Sequence, residues 1–129
     1  PLKDHNLCHA SMTMKNWYGL LGGGRNRFHQ DIHGIIPDFP HMMKPTLVVL
    51  DGTRILTRNG PTGGSLSDVA EGNTLVMGVD MVAVDAYGYD LLRRIRGSGP
   101  DTLDYLEQAH ARGLGNRDWR SLNVKEARV

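Results

Sequence analysis

The chain has 129 residues, 22% charged and 40% hydrophobic, with a formal net charge of +1. That length suits one domain around one core. The balance excludes a disordered chain or a strongly basic nucleic-acid surface, and the longest apolar run, Leu47 to Leu50, is far short of the roughly 20 residues of a membrane helix, so no nucleic-acid or membrane partner is expected.

Residues 2–21 mix polar and apolar positions, with Met12, Met14, Trp17, Leu20 and Leu21 as candidate core, before Gly22-Gly23-Gly24 ends the element. In "RNRFHQDIHGII", Phe28, Ile32, Ile35 and Ile36 recur at spacings of three and four, which predicts a helix near 26–35 with His29 and His33 together on the neighbouring face. Pro37 and Pro40 are compatible with a first helical turn, so a break near Ile36 and a second turn through Met43 are expected. "PTLVVLDG" and "NTLVMGVD" are apolar runs closed by Asp51 and Asp80. They predict strands near 46–51 and 74–79, buried on both faces, adjacent and parallel.

"MVAVDAYGYDLLRRI" places Val84, Tyr87, Gly88, Leu91 and Ile95 on one helical face, predicting a helix near 81–95. A second helix is predicted near 101–112, with Asp101 as its cap and Gly113 as its stop. "SLNVKEARV" suggests a last short strand. Alternating strands and helices predict an α/β fold with a mainly parallel sheet flanked by helices, residues 1–129 forming one domain.

Several residues carry candidate chemistry. The loop "RNGPTGG" at 58–64 frees backbone amides, Gly63 and Gly64 among them, to turn toward an anion, or makes a pair of turns. Gly22, Gly23 and Gly24 share that ambiguity, but Arg25 and Arg27 follow and a helix opens behind them, which makes this stretch the better anion site. Lys15 either snorkels to water or is held in a site as an anion-binding group or nucleophile, spacing alone favouring the surface. Asp80 reads first as a helix cap, whereas Asp51 serves equally as turn closure with Gly52 or as a chemical group. His29 and His33, at i and i+4 on a helix, reach one divalent metal or stand as two solvent-side rings; "HQDIH" lacks the glutamate of a zincin. His5 and His9 repeat the spacing beside Cys8. As the single cysteine, Cys8 permits no internal disulfide and no cysteine-only metal site, and favours a reducing, cytoplasmic compartment.

The blocks "KNWYGLLGGGRNRFHQDIH", "KPTLVVLDGTRILTRNGPTGG" and "VMGVDMVAVDAYG", in that order, resemble the DUF362 family of uncharacterised proteins. The resemblance implies that Lys15, Asn16, Gly19, Arg25, His29, Asp51, Gly60, Pro61, Gly64, Asp80 and Asp85 occupy family-motif positions. It also implies that the chain is the later, C-terminal portion of a larger α/β unit, as the start at Pro1 suggests, with an apolar surface left exposed or self-associating. Some relatives are joined to ferredoxin-like iron–sulfur modules; with one cysteine, no cluster is expected here. A looser similarity, through the order His5, Lys15, then His29 or His33, is to nickel-pincer lactate racemases, which use a lysine to hold their cofactor and histidines for metal and proton work.

Together these readings lead to an enzyme domain binding a small anionic substrate or cofactor. Lys15, Arg25 and loop amides hold the anion, His29 or His33 binds a metal or moves a proton, and Asp51 orients a histidine or ligates the metal. The alternative is a non-catalytic redox-partner or assembly module associated with iron–sulfur proteins.

Overall fold

The computed structural model describes all of residues 1–129. The chain opens with a small hairpin, β1 (Lys3–His5) and β2 (His9–Ser11), and then forms the single helical turn α1 (Thr13–Asn16) and a 3₁₀ turn over Trp17–Leu20. After the glycines come a 3₁₀ stretch over Arg25–Asp31, the turn α2 (Ile32–Ile35), a 3₁₀ turn over Ile36–Asp38 and the turn α3 (Phe39–Met42). The long strands β3 (Val48–Leu56) and β4 (Val69–Gly78) precede the main helix α4 (Met81–Arg96) and the shorter α5 (Asp104–Ala111). The sheet order is β2-β1-β3-β4.

The α/β expectation holds, but the sheet is mixed and mostly antiparallel, so the predicted parallel sheet is corrected. β1 runs antiparallel to β2 and parallel to β3, whereas β3 and β4 pair antiparallel from Val48↔Gly78 to Leu56↔Val69. The cause is the connection at 57–68. A parallel return needs a crossover of a dozen or more residues, usually a helix; this stretch instead folds on itself around the buried carboxylate of Asp68. Asp68 accepts hydrogen bonds from Arg58 Nε, Asn59 Nδ2 and the amides of Gly64 and Ser65 at 3.0–3.2 Å. The register shifts between Gly52 and Arg54, where Gly72 and Asn73 oppose the one residue Thr53 in a bulge, Asn73 at φ 45°.

Nor is the β3 strand buried on both faces. Val48, Leu50, Gly52 and Ile55 face the core, while Val49, Asp51, Thr53 and Arg54 face out. The outer face stays apolar at one end: Leu47, Val49, Leu75, Met77 and Val79 are between 53% and 80% exposed. β4 is a sheet edge, so the covering helices of an all-parallel sheet are absent from this side.

Helix α4 matches its expected position. Asp80 caps it by accepting from Ala83 N at 3.0 Å, and Gly97, left-handed at φ 74°, ends it. The helix is buried almost all round, because the sheet covers one side and α1, α5 and the segment Trp119–Ser121 cover the others. α5 is shorter than predicted: Asp101 does not cap it but pairs with Arg93, and Leu103 holds the cap position. The predicted helix 26–35 divides at Asp31, whose side chain accepts from Gly34 N at 3.2 Å and starts a new turn; Phe28 is left 37% exposed while Ile32 and Ile36 are buried. Residues 122–129 form no strand.

Asp4 ties three of these segments together. Its Oδ1 accepts from Arg96 Nη1 at 2.8 Å and its Oδ2 from Gly60 N at 2.9 Å. A side chain on Gly60 would overlap the Asp4 carbonyl, a backbone atom of β1 that cannot yield locally, whereas one on Gly22 would meet open space. Gly60→Ala is therefore expected to cost about 2 kcal/mol or more, read as a lowered thermal midpoint, with Gly22→Ala close to wild type.

Candidate functional site

The terminal hairpin carries His5, and α1 begins two residues after β2, bringing Lys15 back toward it. Lys15 Nζ lies 5.3 Å from the centre of the Tyr18 ring, and the Arg25 guanidinium lies 5.9 Å from the same centre. His29 meets that ring edge-on at a centroid distance of 4.9 Å. Tyr18 is thus the hub on which the lysine, arginine and histidine of the opening motif converge. Behind them His5 is 4% exposed.

Hydrogen bonds assign the two rings opposite roles. Tyr18 Oη–H donates to the Arg25 carbonyl at 2.7 Å. Its one proton is thereby used, so at the 2.8 Å contact His29 Nδ1–H donates to Tyr18 Oη; the Asn26 carbonyl, 3.3 Å away, is also an acceptor. In the neutral His29 ring, Nε2 is then a lone pair able to take a proton. His5 is reversed: its Nδ1 accepts from Leu7 N at 3.2 Å, so its neutral ring carries the proton on Nε2. The side-chain polar atoms that are fully buried without a partner are His33 Nδ1 and Tyr105 Oη. Neither His5 Nε2 nor His29 Nε2 is among them.

Electrostatics strengthen the assignment. Burial first, then the charges of Lys15, His29 and Lys3, lower the His5 pKa to about 4, against a small opposing effect of Asp4. His5 is therefore a neutral N–H donor at pH 7. Burial also lowers the Lys15 pKa below its ordinary value, with Lys3 adding and the neighbouring Cys8 opposing. Neither Lys15 nor Lys3 belongs to any ion pair of the structure. Cys8 is fully buried, its thiol donates to the Ala10 carbonyl at 3.2 Å, and burial pushes its pKa up to about 11.

Other expected site residues lie apart from this group. Gly63 and Gly64 belong to the 57–68 loop, where the amides of Gly64 and Ser65 are taken by the protein's own Asp68. The anion there is internal. Asp51 does not end a strand; it sits mid-β3 on the outer face and accepts from Thr53 N and Oγ1 at 2.9 and 2.7 Å, bonds that hold its pKa below the usual value. It orients no histidine. His29 and His33 do not share a helical face, because His29 lies in the 3₁₀ stretch and His33 in α2 beyond the Asp31 break. His33 Nε2 contacts the Leu7 carbonyl at 3.2 Å, and no group of three His, Cys, Asp or Glu side chains is placed to hold a metal ion. His5 and His9 are cross-strand partners in the hairpin rather than helical neighbours, and His9 is exposed.

Gly22, Gly23 and Gly24 form an exposed curl with Gly23 at φ 64°. Arg25 is fixed at the curl's exit by donating to the Gly19 carbonyl at 3.1 Å, whereas Arg27 is exposed. Two surface cavities, of about 530 and 560 Å³, lie along α4, both lined by Asp90 and Arg120. Asp80 is engaged as a cap and accepts from Asn116 N at 2.8 Å, a structural role.

In the sequence Tyr18 carries no marked role, and His5 is marked only by its metal-ligand spacing and by the racemase-like order with Lys15. Tyr18 stands inside "KNWYG" without a spacing signal of its own, and the value of His5 depends on a hairpin that its three-residue strands do not announce.

The family model for DUF362, a domain of unknown function, matches residues 1–90. No curated protein and no solved structure matches the chain. No helix is long and apolar enough to cross a membrane.

His5 should show a ring titration by NMR with its midpoint near pH 4 rather than near 6.5. A depressed histidine pKa lends stability above its unfolded value and withdraws it as pH falls through the folded one, so this contribution disappears between about 6.5 and about 4. Lys15→Met removes one of the opposing charges and should raise the midpoint measurably; an unmoved midpoint would place Lys15 away from His5.

Proposed function

The chain belongs to the DUF362 family, and from that premise we propose that it holds a small anion, a carboxylate or phosphate ester, against Lys15 and serves an enzyme that moves a proton at His29. The observation that carries this reading is the half-buried Lys15 ammonium. It has no carboxylate partner and lies beside two imidazoles whose Nε2 atoms have complementary character. A cation partly removed from water without a counter-ion is costly, and an anionic ligand relieves that cost.

Lys15 supplies the charge, His5 Nε2–H supplies a directed neutral donor, and Arg25, braced on Tyr18 and Gly19, adds a second cation at the rim. His29 Nε2 is the base for an acidic proton of the bound molecule, its ring held by Tyr18 Oη. Fixing the His29 tautomer through Tyr18 is a positioning contribution of the kind a histidine base requires.

Sulfate binding followed by calorimetry tests the reading. Lys15→Met should weaken it about tenfold or more, close to 1.4 kcal/mol, and Arg25→Ala by a smaller but measurable factor. Arg128→Ala, at the exposed terminus, should change nothing. Equal affinity in Lys15→Met and wild type would refute the site.

A second reading, the assembly module, has one observation in its favour: the apolar outer face formed by Leu47, Val49, Leu75, Met77 and Val79 at the β4 edge. Under it, sedimentation at several concentrations should reveal association that Met77→Glu reduces. A wild-type chain that stays monomeric throughout would count against it.

A further inference from the structure

The turn that carries Lys15 has no means of holding itself in place. α1 is four residues long, Met12 stands at its cap position, and no side chain of its own caps it. So short a helix has no independent stability in water. The missing acceptor comes from Asp85, in the second turn of α4 and more than seventy positions away. Asp85 Oδ1 accepts from Thr13 N at 2.8 Å and from Thr13 Oγ1 at 2.6 Å, and Oδ2 accepts from Met14 N at 3.1 Å. Lys15 is the next residue.

We infer that Asp85 is the positioning residue of the anion site: it fixes the α1 turn from inside the core and thereby sets Lys15 against Tyr18 and His5. This inference rests on the reading of Lys15 as an anion-binding group. Asp85 touches no ligand and acts only through Thr13 and Met14.

The chemistry of the anchor fits that task. Three donors converge on one side chain, and a carboxylate can satisfy all three because both of its oxygens only accept. An asparagine of the same shape satisfies the two at Oδ1 and turns its own NH₂ on the Met14 amide. Asp85 has 0% exposure, yet none of the structure's ion pairs includes it. Burial pushes its pKa up to about 6, only partly offset by the Thr13 and Met14 bonds. From α5, the Tyr105 phenol lies near enough to feel its charge, and it is itself buried without a hydrogen-bond partner. A buried charge with no counter-ion is a poor device for stability alone. It is a strong device for holding backbone amides in one place, since charge-assisted bonds are roughly twice as strong as neutral ones.

Asp85→Asn tests this. It removes the buried charge but sets an NH₂ against the Met14 amide, so thermal stability carries two opposed effects, while sulfate affinity should fall several-fold and the Lys15 ε-amine pKa, read by NMR on ¹³C-methylated protein, should return toward 10.5. A purely structural aspartate would leave the folded fraction's Lys15 pKa alone, whatever the change in stability. If Asp85→Asn fails to fold, Thr13→Val carries the test. That variant removes only the Thr13 Oγ1 bond and should move the Lys15 pKa and sulfate affinity in the same direction by a smaller step. An unchanged Lys15 pKa in a folded variant overturns the inference. Absence of sulfate binding in wild type would instead overturn the anion reading, with the Lys15 pKa still deciding whether Asp85 positions it.

Discussion

The structure depends on how closely α4 approaches the sheet. At Gly88 the helix has no side chain, and a Cβ there would overlap Leu50 and come within 3.0 Å of Met12 Sδ. The bare backbone lets Leu50, from the centre of β3, and Met12, from the end of the hairpin, pack against the helix together. Both are almost fully buried. Attachments along α4 then position the rest of the chain. Three residues before Gly88, Asp85 holds α1; about two turns after it, Arg96 holds Asp4, which holds Gly60 and the loop beyond. Asp90 receives Trp119 Nε1 at 2.9 Å and fastens the far side. Each attachment spans a fixed side-chain length, so each requires the helix at that height above the sheet.

The two glycine-rich stretches differ in what satisfies them. Around 57–68, freed amides and polar side chains close on Asp68, and the stretch becomes a rigid connector. Around Gly22 to Gly24 no carboxylate arrives. The chain instead delivers Lys15, Arg25 and His29 to one tyrosine ring and leaves the lysine and arginine charges without an internal counterpart. Loops of similar composition therefore reach opposite outcomes, decided by whether an acidic side chain a few residues away folds back into the turn.

That contrast explains what could be read from the sequence. α4 was legible because its apolar stripe, the Asp80 cap and its length agree, and strands near 46–51 and 74–79 were legible from β-branched apolar runs. Their relative direction was not. "TLVVL" and "TLVM" look like strands buried on both faces because the outer face of this sheet is itself apolar, and hydropathy does not tell a covered face from an exposed one. Direction was set by Asp68 turning the connection into a hairpin loop, a many-body contact that no spacing rule describes. The pairing of His29 with His33 failed for a local reason: in a 3₁₀ stretch, residues four apart do not stack as they do in an α-helix. Lys15 and His29 were marked through the family-like motif. Their true companions, His5 and Tyr18, come together only after a three-residue hairpin and a 3₁₀ turn fold back, elements too short to leave a periodic trace.

The lone thiol of Cys8 has a practical meaning. It lies in the hairpin turn that forms one wall of the lysine–histidine group, has no exposed surface, and is kept protonated by its surroundings. A thiol reagent meets a reactive sulfur only when that hairpin lifts away from the core, so the labelling rate reports the frequency of local opening rather than of global unfolding. The protein thus carries a built-in clock for the breathing of this wall, set by one natural atom and readable without any substitution.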